Sequence, residues 1–446
     1  MSKLSDFISI KHGFAFKGEF ITTEENANCL ITPVNFSIGG GFKSDKFKYY
    51  TGEIPEKYIL QPNDLIVTMT DLSKQADTLG YPALVPNISG KKMLHNQRIG
   101  LVEFLNNELD KEYLYFLMRT KEYRHQILST ATGATVHHTS PSKILDFEFE
   151  KPDLQTQKLI AQYLMILEEK IQLNTQINQT LEAIAQAIFK SWFVDFDPVR
   201  AKAQALSEGK SEHEANLAAM SVICGKDTSE LNDTEYKALW EIADAFPSEL
   251  VENAEFGEVP KGWERSTIGE SYNVIMGQSP SGETYNEQGN GTLFYQGRAE
   301  FGWRFPTPRL FTTNPKRMAK SNDILMSVRA PVGDLNVALE NCCIGRGLCA
   351  LSHKSGEFSF GFYQMKNLKS VLDVFNGEGT VFGSINQKDL KSIPVLNPHQ
   401  EIIALFNKFI FDIDNKIKNN VKENQQLEKI RDLLLPKLLS GELLNE

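Results

Sequence analysis

Long apolar runs are missing from this sequence of 446 residues, and none approaches the roughly 18 residues that a membrane-spanning helix requires. The first residues, MSKLSDFISIKHGFAF, show neither a signal-peptide core nor a cleavage site. The five cysteines are an odd number without a C-x-x-C pair, so neither a disulfide framework nor a zinc site is indicated. We therefore expect a cytoplasmic protein whose cysteines are buried thiols.

Motifs for catalysis are scarce as well. The segment Gly209-Lys210-Ser211 resembles the end of a P-loop, but Gln204 stands where the first glycine is needed and no apolar strand precedes it. A pattern similar to that of metal-dependent nucleases is formed by Asp153, Glu168 and Lys170. The last two lie on a predicted helix and not on a strand beside the aspartate, so the match is attributed to chance. No glycine motif for a methyl-donor cofactor is present. We expect no catalytic residue, metal ligand or bound cofactor in this chain.

Basic residues are also outnumbered: 47 Lys and Arg stand against 57 Asp and Glu, so the formal net charge is −10. One segment supplies nearly all of this excess: residues 194–262 contain 15 acidic and 6 basic side chains, a net charge of −9. The rest of the chain is therefore close to neutral. A neutral remainder leaves room for local basic faces that bind an anionic partner.

The sequence repeats itself. NQTLEAI at 178–184 returns as NQQLEKI at 424–430, 246 residues later. Upstream, NDLI at 63–66 matches NDIL at 322–325 at an offset of 259. A fixed order of matching segments predicts two copies of one structural unit.

The first part of each copy is predicted to be β-rich with one helix. DLIVTMT and DILMSVR are short apolar runs typical of buried strands, and EYLYFLMRTKEYRHQIL and GFYQMKNLKSVLDVF are typical of helices. Gly13 matches Gly277 near the start of each copy, at an offset of 264. Loops rich in Gly, Asn, Ser and Pro separate these elements.

The second part of each copy is a long helix. Residues 154–193 contain neither Gly nor Pro, and steps of four and three give Leu164, Leu167, Ile171, Asn174, Asn178, Leu181, Ala185 and Ile188. The same register in the second copy gives Ile410, Ile413, Ile417, Asn420, Asn424, Leu427, Arg431 and Leu434. Asparagine in a coiled-coil seam costs stability but fixes register and orientation. The pattern favours two helices that pair with each other; a single surface helix with asparagines is the alternative.

These patterns predict an α+β fold with an internal pseudo-two-fold repeat, in which a pair of long antiparallel coiled-coil helices separates two β-rich domains. The predicted segments are a first β-rich domain at 1–152, a first helix at 153–200, an acidic connection at 201–262, a second β-rich domain at 263–395 and a second helix at 396–446.

Basic, polar and aromatic residues in the β-rich parts favour nucleic-acid binding. Lys and Arg neutralise phosphates, and Arg can form paired hydrogen bonds with guanine. Arg98 aligns closely with Arg346, and His137–Ser140 aligns with Ser384–Asn386. A solvated face over core aromatics, or a polar loop, is the alternative. The candidate contacts are Lys43, Lys46, Thr70, Lys74, Gln75, Lys91, Lys92, Arg98, His137, His138, Ser140, Gln296, Arg298, Trp303, Arg304, Arg329, Arg346, Ser384 and Asn386.

With the repeat established, the chain resembles the specificity subunits of type I restriction–modification systems. The resemblance covers the whole chain and depends most on SWFVDFDPVRA at 191–201, GEVPKGWE at 257–264 and LLPKLLSGEL at 434–443. Here the chain starts at MSKLSDF, without the proline-glycine-tryptophan lead that is common before the first variable region.

The resemblance implies that each β-rich domain is a target-recognition domain that reads one half of a split sequence in double-stranded DNA. It implies two methyltransferase subunits that use S-adenosylmethionine and two motor–nuclease subunits that use ATP and Mg, with no membrane partner. We expect Trp192, Phe193, Asp195, Asp197 and Arg200 to lie at the subunit interface, with helix-end packing as the alternative. A coiled-coil adaptor, or an orphan regulatory copy that binds only protein, is the other function that these patterns leave open.

Overall fold

The computed structural model describes residues 1–44, 46–73, 75–133, 136–377 and 383–439. The chain forms two compact units. Unit 1 comprises residues 1–175 and the chain from 421 onwards, and unit 2 comprises 176–420. Each unit therefore contains one β-rich part and a segment of both long helices.

Among the described residues of unit 1 are the short α-helices α1 (Lys111–Leu117), α2 (Lys121–Thr130) and α3 (Pro141–Leu145). Its strands are short and are joined by loops. They are β1 (Ser2–Lys3), β2 (Ile8–His12), β3 (Ile21–Thr22), β4 (Asn28–Leu30), β5 (Lys48–Tyr50), β6 (Ile59–Leu60), β7 (Leu65–Thr68), β8 (Thr70–Asp71), β9 (Pro82–Leu84), β10 (Lys92–Leu94), β11 (Ile99–Phe104), β12 (His137–His138) and β13 (Glu148–Phe149).

These strands form two main sheets. One has five strands in the order β3-β5-β4-β10-β6, and the other has four in the order β2-β11-β7-β9. Every residue of β7, the predicted strand LIVT, is buried, as expected for a strand that is covered on both faces. Two-stranded pairs β1-β13 and β8-β12 complete the unit.

In unit 2 the acidic connection is helical and contains α5 (Asp197–Ser207), α6 (Glu212–Cys224) and α7 (Asp233–Ala245). Its strands are β14 (Leu250–Asn253), β15 (Gly257–Pro260), β16 (Glu264–Thr267), β17 (Tyr272–Met276), β18 (Tyr285–Asn286), β19 (Thr292–Tyr295), β20 (Leu310–Thr312), β21 (Met318–Ala319), β22 (Ile324–Ser327), β23 (Leu335–Val337), β24 (Cys342–Ile344), β25 (Leu348–His353) and β26 (Pro394–Asn397). Short helices α8 (Ile268–Ser271), α9 (Phe358–Asn367), α10 (Lys369–Asp373) and α11 (Gln387–Ser392) lie among them.

The sheets of unit 2 repeat those of unit 1. The five-stranded order is β18-β20-β19-β24-β21 and the four-stranded order is β17-β25-β22-β23. In each five-stranded sheet one pair is parallel, β4 with β10 and β19 with β24, and the remaining pairs are antiparallel. The predicted α+β class and the internal repeat are therefore confirmed at the level of strand order.

The two long helices are the helix Leu154–Phe193, called α4, and the helix Gln400–Leu439, called α12. In unit 1, Asn174 donates hydrogen bonds to Glu423 Oε2 (2.7 Å) and Asn424 Oδ1 (2.9 Å). In unit 2, Asn420 donates one to Asn178 Oδ1 (2.9 Å), and both residues are 2% exposed.

The pairing within each unit shows that the helices are antiparallel. In unit 1, Arg431 contacts Glu168 and Asn424 contacts Asn174. Contacts at higher residue numbers of α4 therefore involve lower residue numbers of α12. All of the predicted seam residues are buried or half-buried. Both asparagine layers are satisfied by partners across the helix pair. The predicted seam is therefore confirmed.

α4 ends at Phe193, and Phe196 adopts a left-handed conformation (φ 58°) that turns the chain into α5. Pro198 lies in the first turn of α5, where its missing N–H costs no helix hydrogen bond. The free cysteines are buried except for the partly exposed Cys224. Within the described ranges, none of the helices is long and apolar enough to cross a membrane.

The buried asparagine pair gives a stability prediction. Asn178→Ala leaves the Asn420 amide without its partner, and we expect it to lower the free energy of unfolding by about 1–3 kcal/mol. The double variant Asn178→Leu/Asn420→Leu removes both polar groups, and we expect it to be at least as stable as the unaltered protein. Denaturant unfolding measures both. A double variant less stable than the single one contradicts the assignment.

Candidate nucleic-acid interface

Three loops of unit 1 meet at the end of β7. Met69 donates its N–H to the carbonyl of Arg98 (3.0 Å), and Thr139 donates its N–H to the carbonyl of Met69 (3.0 Å). Thr70 and His138 face each other across β8 and β12, with Thr70 Oγ1 3.3 Å from His138 Nδ1. We call the residues Thr70, Arg98 and His138 junction 1.

Unit 2 contains the same junction at the end of β22. Val328 donates its N–H to the carbonyl of Gly347 (2.9 Å), and Ile385 donates its N–H to the carbonyl of Val328 (3.0 Å). Arg329 and Ser384 form an antiparallel β-bridge. We call the residues Arg329, Arg346 and Ser384 junction 2, in which Arg346 precedes Gly347 directly.

Backbone register brings these residues together. Thr70 and Arg329 differ by the offset of 259 found for NDLI and NDIL, and His138 and Ser384 differ by 246. The sequence alignment therefore marked the loops of both junctions. It did not show that the loops of each copy meet.

Glycines allow the arginine loops to approach the neighbouring strand. A Cβ atom on Gly13 would lie 2.2 Å from the carbonyl oxygen of Asn96, and one on Gly277 would lie 2.1 Å from that of Gly345. Real Cβ atoms do not approach so closely, so only glycine fits. A Cβ on Gly345 would in turn lie 2.7 Å from the carbonyl oxygen of Gln296, so Gln296 packs against junction 2.

Most side chains of the junctions are available to a partner. Arg98, His138, Arg329, Arg346 and Ser384 are exposed. Thr70 is buried. No ion pair joins the three arginines to a carboxylate in the described part of the chain. Unpaired exposed guanidinium groups suit contacts with phosphates or with base edges.

The loop after β8 is held by a buried carboxylate. Asp71 accepts hydrogen bonds from the backbone N–H of Ser73 (2.6 Å) and from Thr78 Oγ1 (2.6 Å). Burial would raise the pKa of Asp71, but the hydrogen bonds from Thr78 and Ser73 outweigh it and lower the pKa below its usual value. Asp71 therefore fixes Ser73 and Thr78, which precede and follow the exposed Gln75 in the chain.

The other candidates of unit 1 are spread more widely. Lys43, Lys46 and Lys92 are exposed, whereas Lys91 forms an ion pair with Glu25 (2.7 Å). Lys74 lies outside the described residues. His137 is half-buried, and its Nε2 atom has no hydrogen-bond partner among the residues that the structure describes.

Ser140 lies 3.0 Å from Ser142 through their hydroxyl oxygens, at the start of α3. In unit 2, Arg298 forms an ion pair with Asp334 (2.7 Å), and Asn386 accepts the N–H of Asp389 (2.9 Å) as the N-cap of α11. Trp303 is 47% exposed.

Arg304 is different from the other candidates because it is only 2% exposed. It donates hydrogen bonds to Asp414 Oδ1 (2.5 Å), Glu182 Oε2 (3.4 Å) and Tyr363 Oη (3.2 Å). Its guanidinium group also lies over the ring of Phe362. The structure therefore gives Arg304 carboxylate partners on both long helices within unit 2, and it is not among the residues that junction 2 displays.

Unit 1 contains a similar group. Arg119 Nη1 lies 3.2 Å from Glu168 Oε2 and donates to Tyr115 Oη (2.8 Å), and Arg431 Nη1 lies 3.0 Å from Glu168 Oε2. Burial would raise the pKa of Glu168, but Arg119 and Arg431 together lower it below its usual value. Sequence reasoning missed both groups. The available signal was that Glu168 and Asp414 are 246 residues apart.

The residues predicted for a subunit interface lie around the turn between α4 and α5. Trp192 and Phe193 are buried among aromatic rings of unit 2. Asp195 forms an ion pair with Lys190, and Asp197 accepts a hydrogen bond from Ser191 Oγ (2.7 Å). The exposed Arg200 forms an ion pair with Glu258 (3.2 Å). The two aromatic residues thus pack at the helix end beneath a charged surface.

Trp192 also forms part of the wall of an apolar cavity of about 610 Å³. Its other wall residues come from α4, α6, α7, α12 and the connection between α6 and α7, and they include Ile188, Ile223, Leu239 and Phe409.

The glycine contact predicts a local effect. Gly277→Ala places a methyl group against the carbonyl oxygen of Gly345, so the loop that carries Arg346 must move. We expect a loss of stability of about 1–3 kcal/mol together with weaker nucleic-acid binding. Gly282→Ala is the matched control, because a Cβ on Gly282 meets no atom within 4 Å. Thermal unfolding and a binding titration measure the two effects, and equal behaviour of the two variants would contradict the contact.

The lowered pKa of Glu168 gives a pH prediction. A carboxylate whose folded-state pKa lies below its usual value of 4.5 stabilises the fold above that pH, and this contribution is lost as the pH falls through the folded-state pKa. We expect Glu168→Gln to be less stable than the unaltered protein at pH 7, and the difference to shrink in acid. Denaturant unfolding at pH 7 and at about pH 3.5 measures it. A difference that stays constant contradicts the role of the charge.

Comparison with known proteins follows the same division of the chain. The family described as type I restriction modification DNA specificity domain matches residues 1–183 and 260–429. The HindI type I restriction enzyme specificity subunit of Haemophilus influenzae is 35% identical over 355 residues, which are 74% of this chain and 77% of that protein. A putative MjaX specificity subunit of Methanocaldococcus jannaschii is 38% identical over 202 residues, 44% of this chain and 47% of that protein.

Among solved structures, the S subunit of a type I restriction–modification system from M. genitalium has a similar fold. Its TM-score is 0.50 at 18% sequence identity, over 98% of this chain and 95% of that chain. The family match covers most of the sequence and both of its repeats. The chain therefore belongs to the family of type I restriction–modification DNA specificity subunits.

Proposed function

We propose that this chain recognises DNA for a type I restriction–modification complex, and that each β-rich region reads one half of a bipartite target. The observation that supports this most is the presence of two junctions with the same framework and different side chains. In unit 1 a backbone hydrogen bond holds the exposed Arg98 beside the end of a buried strand. In unit 2 the matching hydrogen bond holds Gly347, which the exposed Arg346 directly precedes.

The differences between the junctions support a target whose halves are unlike. Where unit 1 has Thr70 and His138, unit 2 has Arg329 and Ser384. Arginine favours paired hydrogen bonds to guanine, whereas hydroxyl and imidazole groups form single contacts with several bases. Two recognition regions in one chain need not read the same half-site, unlike the subunits of a symmetric dimer.

In this proposal, residues 1–152 and 263–395 are the recognition domains, and 153–200 and 396–446 are the helices that set the length of the unread gap. Residues 201–262 connect the two copies. Two weak half-site contacts that are joined by a stiff connection reinforce each other through effective concentration. The target sequence then depends on the junctions, and the gap depends on the helices.

The partners belong to the same proposal. Two methyltransferase subunits with S-adenosylmethionine would modify adenine, and two motor–nuclease subunits with ATP and Mg would cleave, so that this chain itself catalyses no step. The charged turn after α4, with Asp195, Asp197 and Arg200, would contribute to the surface that holds the methyltransferase subunits. Trp192 and Phe193 would support that turn from within unit 2.

Substitutions in the two junctions test the proposal. With the methyltransferase partner present, we expect methylated adenines to map to one two-part motif. Arg98→Ala should relax base preference in one half only and Arg346→Ala in the other, by about 1–3 kcal/mol each. Lys210→Ala, which removes an ion pair with Glu208 on the connecting segment, is the control and should leave both halves unchanged.

The readout is a genome-wide map of methylated adenine for each variant. A single contiguous motif, or no motif that depends on this chain, would contradict the proposed function. Loss of preference in both halves from one substitution would contradict the assignment of one half to each junction. A protein-binding adaptor would give the same map with and without the substitutions.

A further inference from the structure

A carboxylate of a long helix, buried in unit 1 and half-buried in unit 2, is bound by an arginine and a tyrosine in each unit. In unit 1 the carboxylate is Glu168, and Arg119 and Tyr115 bind it. We call Tyr115, Arg119, Glu168 and Arg431 clamp 1. Arg119 lies between α1 and α2, whereas Arg431 lies on α12, so clamp 1 joins the β-rich part of unit 1 to both of its long-helix segments.

Unit 2 repeats this arrangement around Asp414 of α12. Tyr363 donates to Asp414 Oδ1 (3.1 Å), and Arg304 contacts both Asp414 and Glu182 of α4. We call Arg304, Tyr363, Asp414 and Glu182 clamp 2. Ser359 and Lys366 of α9 add hydrogen bonds to the same two carboxylates.

The two clamps are equivalent in position but are built differently. Glu168 and Asp414 are repeat mates, and the tyrosines lie on α1 and α9, the first helix after the main sheets of each unit. In unit 2 the loop between β19 and β20 supplies Arg304 itself. In unit 1 the matching loop between β4 and β5 supplies a carbonyl instead, because Arg119 Nε donates to Gly39 (2.6 Å).

That loop of unit 1 is shaped to accommodate the arginine. Gly39, Gly40 and Gly41 all have positive φ angles, of 88°, 93° and 102°. A Cβ on Gly40 would lie 2.8 Å from the Arg119 side chain, so the loop wraps closely around it. The two units thus use different residues to connect equivalent parts of the fold, namely the loop after the β4 or β19 strand, the helix α1 or α9, and the carboxylate of Glu168 or Asp414.

Buried charges of this kind are expensive to remove from water, and a well-packed apolar cluster would stabilise the fold at least as well. What a hydrogen-bonded charge cluster adds is direction, since a guanidinium group binds its partners only in one plane. A clamp at the place where a β-rich region meets the long helices therefore fixes the angle between them.

We propose that the two clamps position the recognition domains on the long helices and thereby determine how strictly the length of the unread gap is enforced. This inference rests on the proposed function. One additional base pair moves the second half-site by about 3.4 Å and rotates it by roughly 35° about the DNA axis. A directional, hydrogen-bonded contact between a β-rich region and the long helices resists that rotation, whereas an apolar contact at the same place allows it.

The clamp residues are positioning residues, because none of them lies in a junction. Their loss should change tolerance for gap length and leave base preference in each half-site unchanged. Loss of general stability would instead lower methylation at every gap length in the same proportion. The two outcomes are distinguishable in a single experiment.

The test measures methylation by the assembled complex on DNA fragments that keep both half-sites and vary the gap by one and two base pairs in each direction. The first variant, Arg119→Met/Glu168→Gln, removes the ion pair between those two residues and leaves Arg431 in contact with Asp432. Arg304→Met/Asp414→Asn removes the corresponding ion pair in clamp 2 and leaves Glu182 paired with Lys366. Lys170→Ala, which removes an ion pair with Glu423 that is 43% exposed on both sides, is the matched helix control.

We expect the unaltered complex and Lys170→Ala to methylate one gap length. Each clamp variant should raise the relative rate on gaps one base pair longer or shorter by roughly tenfold or more, with the half-sites unchanged. Arg119→Lys, which keeps the charge but has fewer donors, should broaden the profile less. It also provides a folded variant if the double substitution does not fold.

Folded clamp variants with the gap profile of the unaltered complex would overturn the inference, and so would a change of base preference without a change of gap tolerance. Thermal unfolding shows which variants are folded. Failure of the proposed function would look different, because the unaltered complex would then show no two-part motif in the first place.

Discussion

The hydrogen-bonded charge clusters around Glu168 and Asp414 are the contacts on which the placement of both β-rich regions depends. Each carboxylate projects from a long helix and is bound by an arginine and a tyrosine that are brought to it by the fold of the β-rich part. A buried carboxylate without these partners would be strongly unfavourable. The fold of each β-rich part and the packing of its helix pair therefore stabilise each other.

The sequence predicted the elements that follow from local periodicity. Asn174, Asn178, Asn420 and Asn424 occupy the predicted seam, since a step of four and three along a helix places them on one face. The same periodicity did not assign Glu168, because a glutamate on a helix is usually a solvated residue. The folded structure is needed to show that Glu168 is buried between two arginines, because Arg119 and Arg431 come from distant segments of the same chain.

The candidate site divides in the same way. Thr70, His138, Arg329 and Ser384 were selected from their polar or basic chemistry, but their convergence depends on sheet order and register, which are long-range properties. Arg304 was selected from its basic and aromatic neighbours, yet its carboxylate partners lie 110 and 122 residues away. Composition of a segment therefore cannot separate a groove-facing arginine from a buried one.

The division of roles between repeated and variable positions explains how a chain with a net charge of −10 can suit DNA. Interactions between exposed charges are screened beyond about 8 Å at physiological ionic strength, so the charges near a junction matter more than the total. The glycine contacts and the clamp carboxylates recur in both copies, whereas Thr70 and Arg329 differ at one equivalent place. A change at such a position alters what one junction presents to a base while the framework that holds it stays the same. Specificity can therefore change in one half of the target without a change in the helices or in the other half.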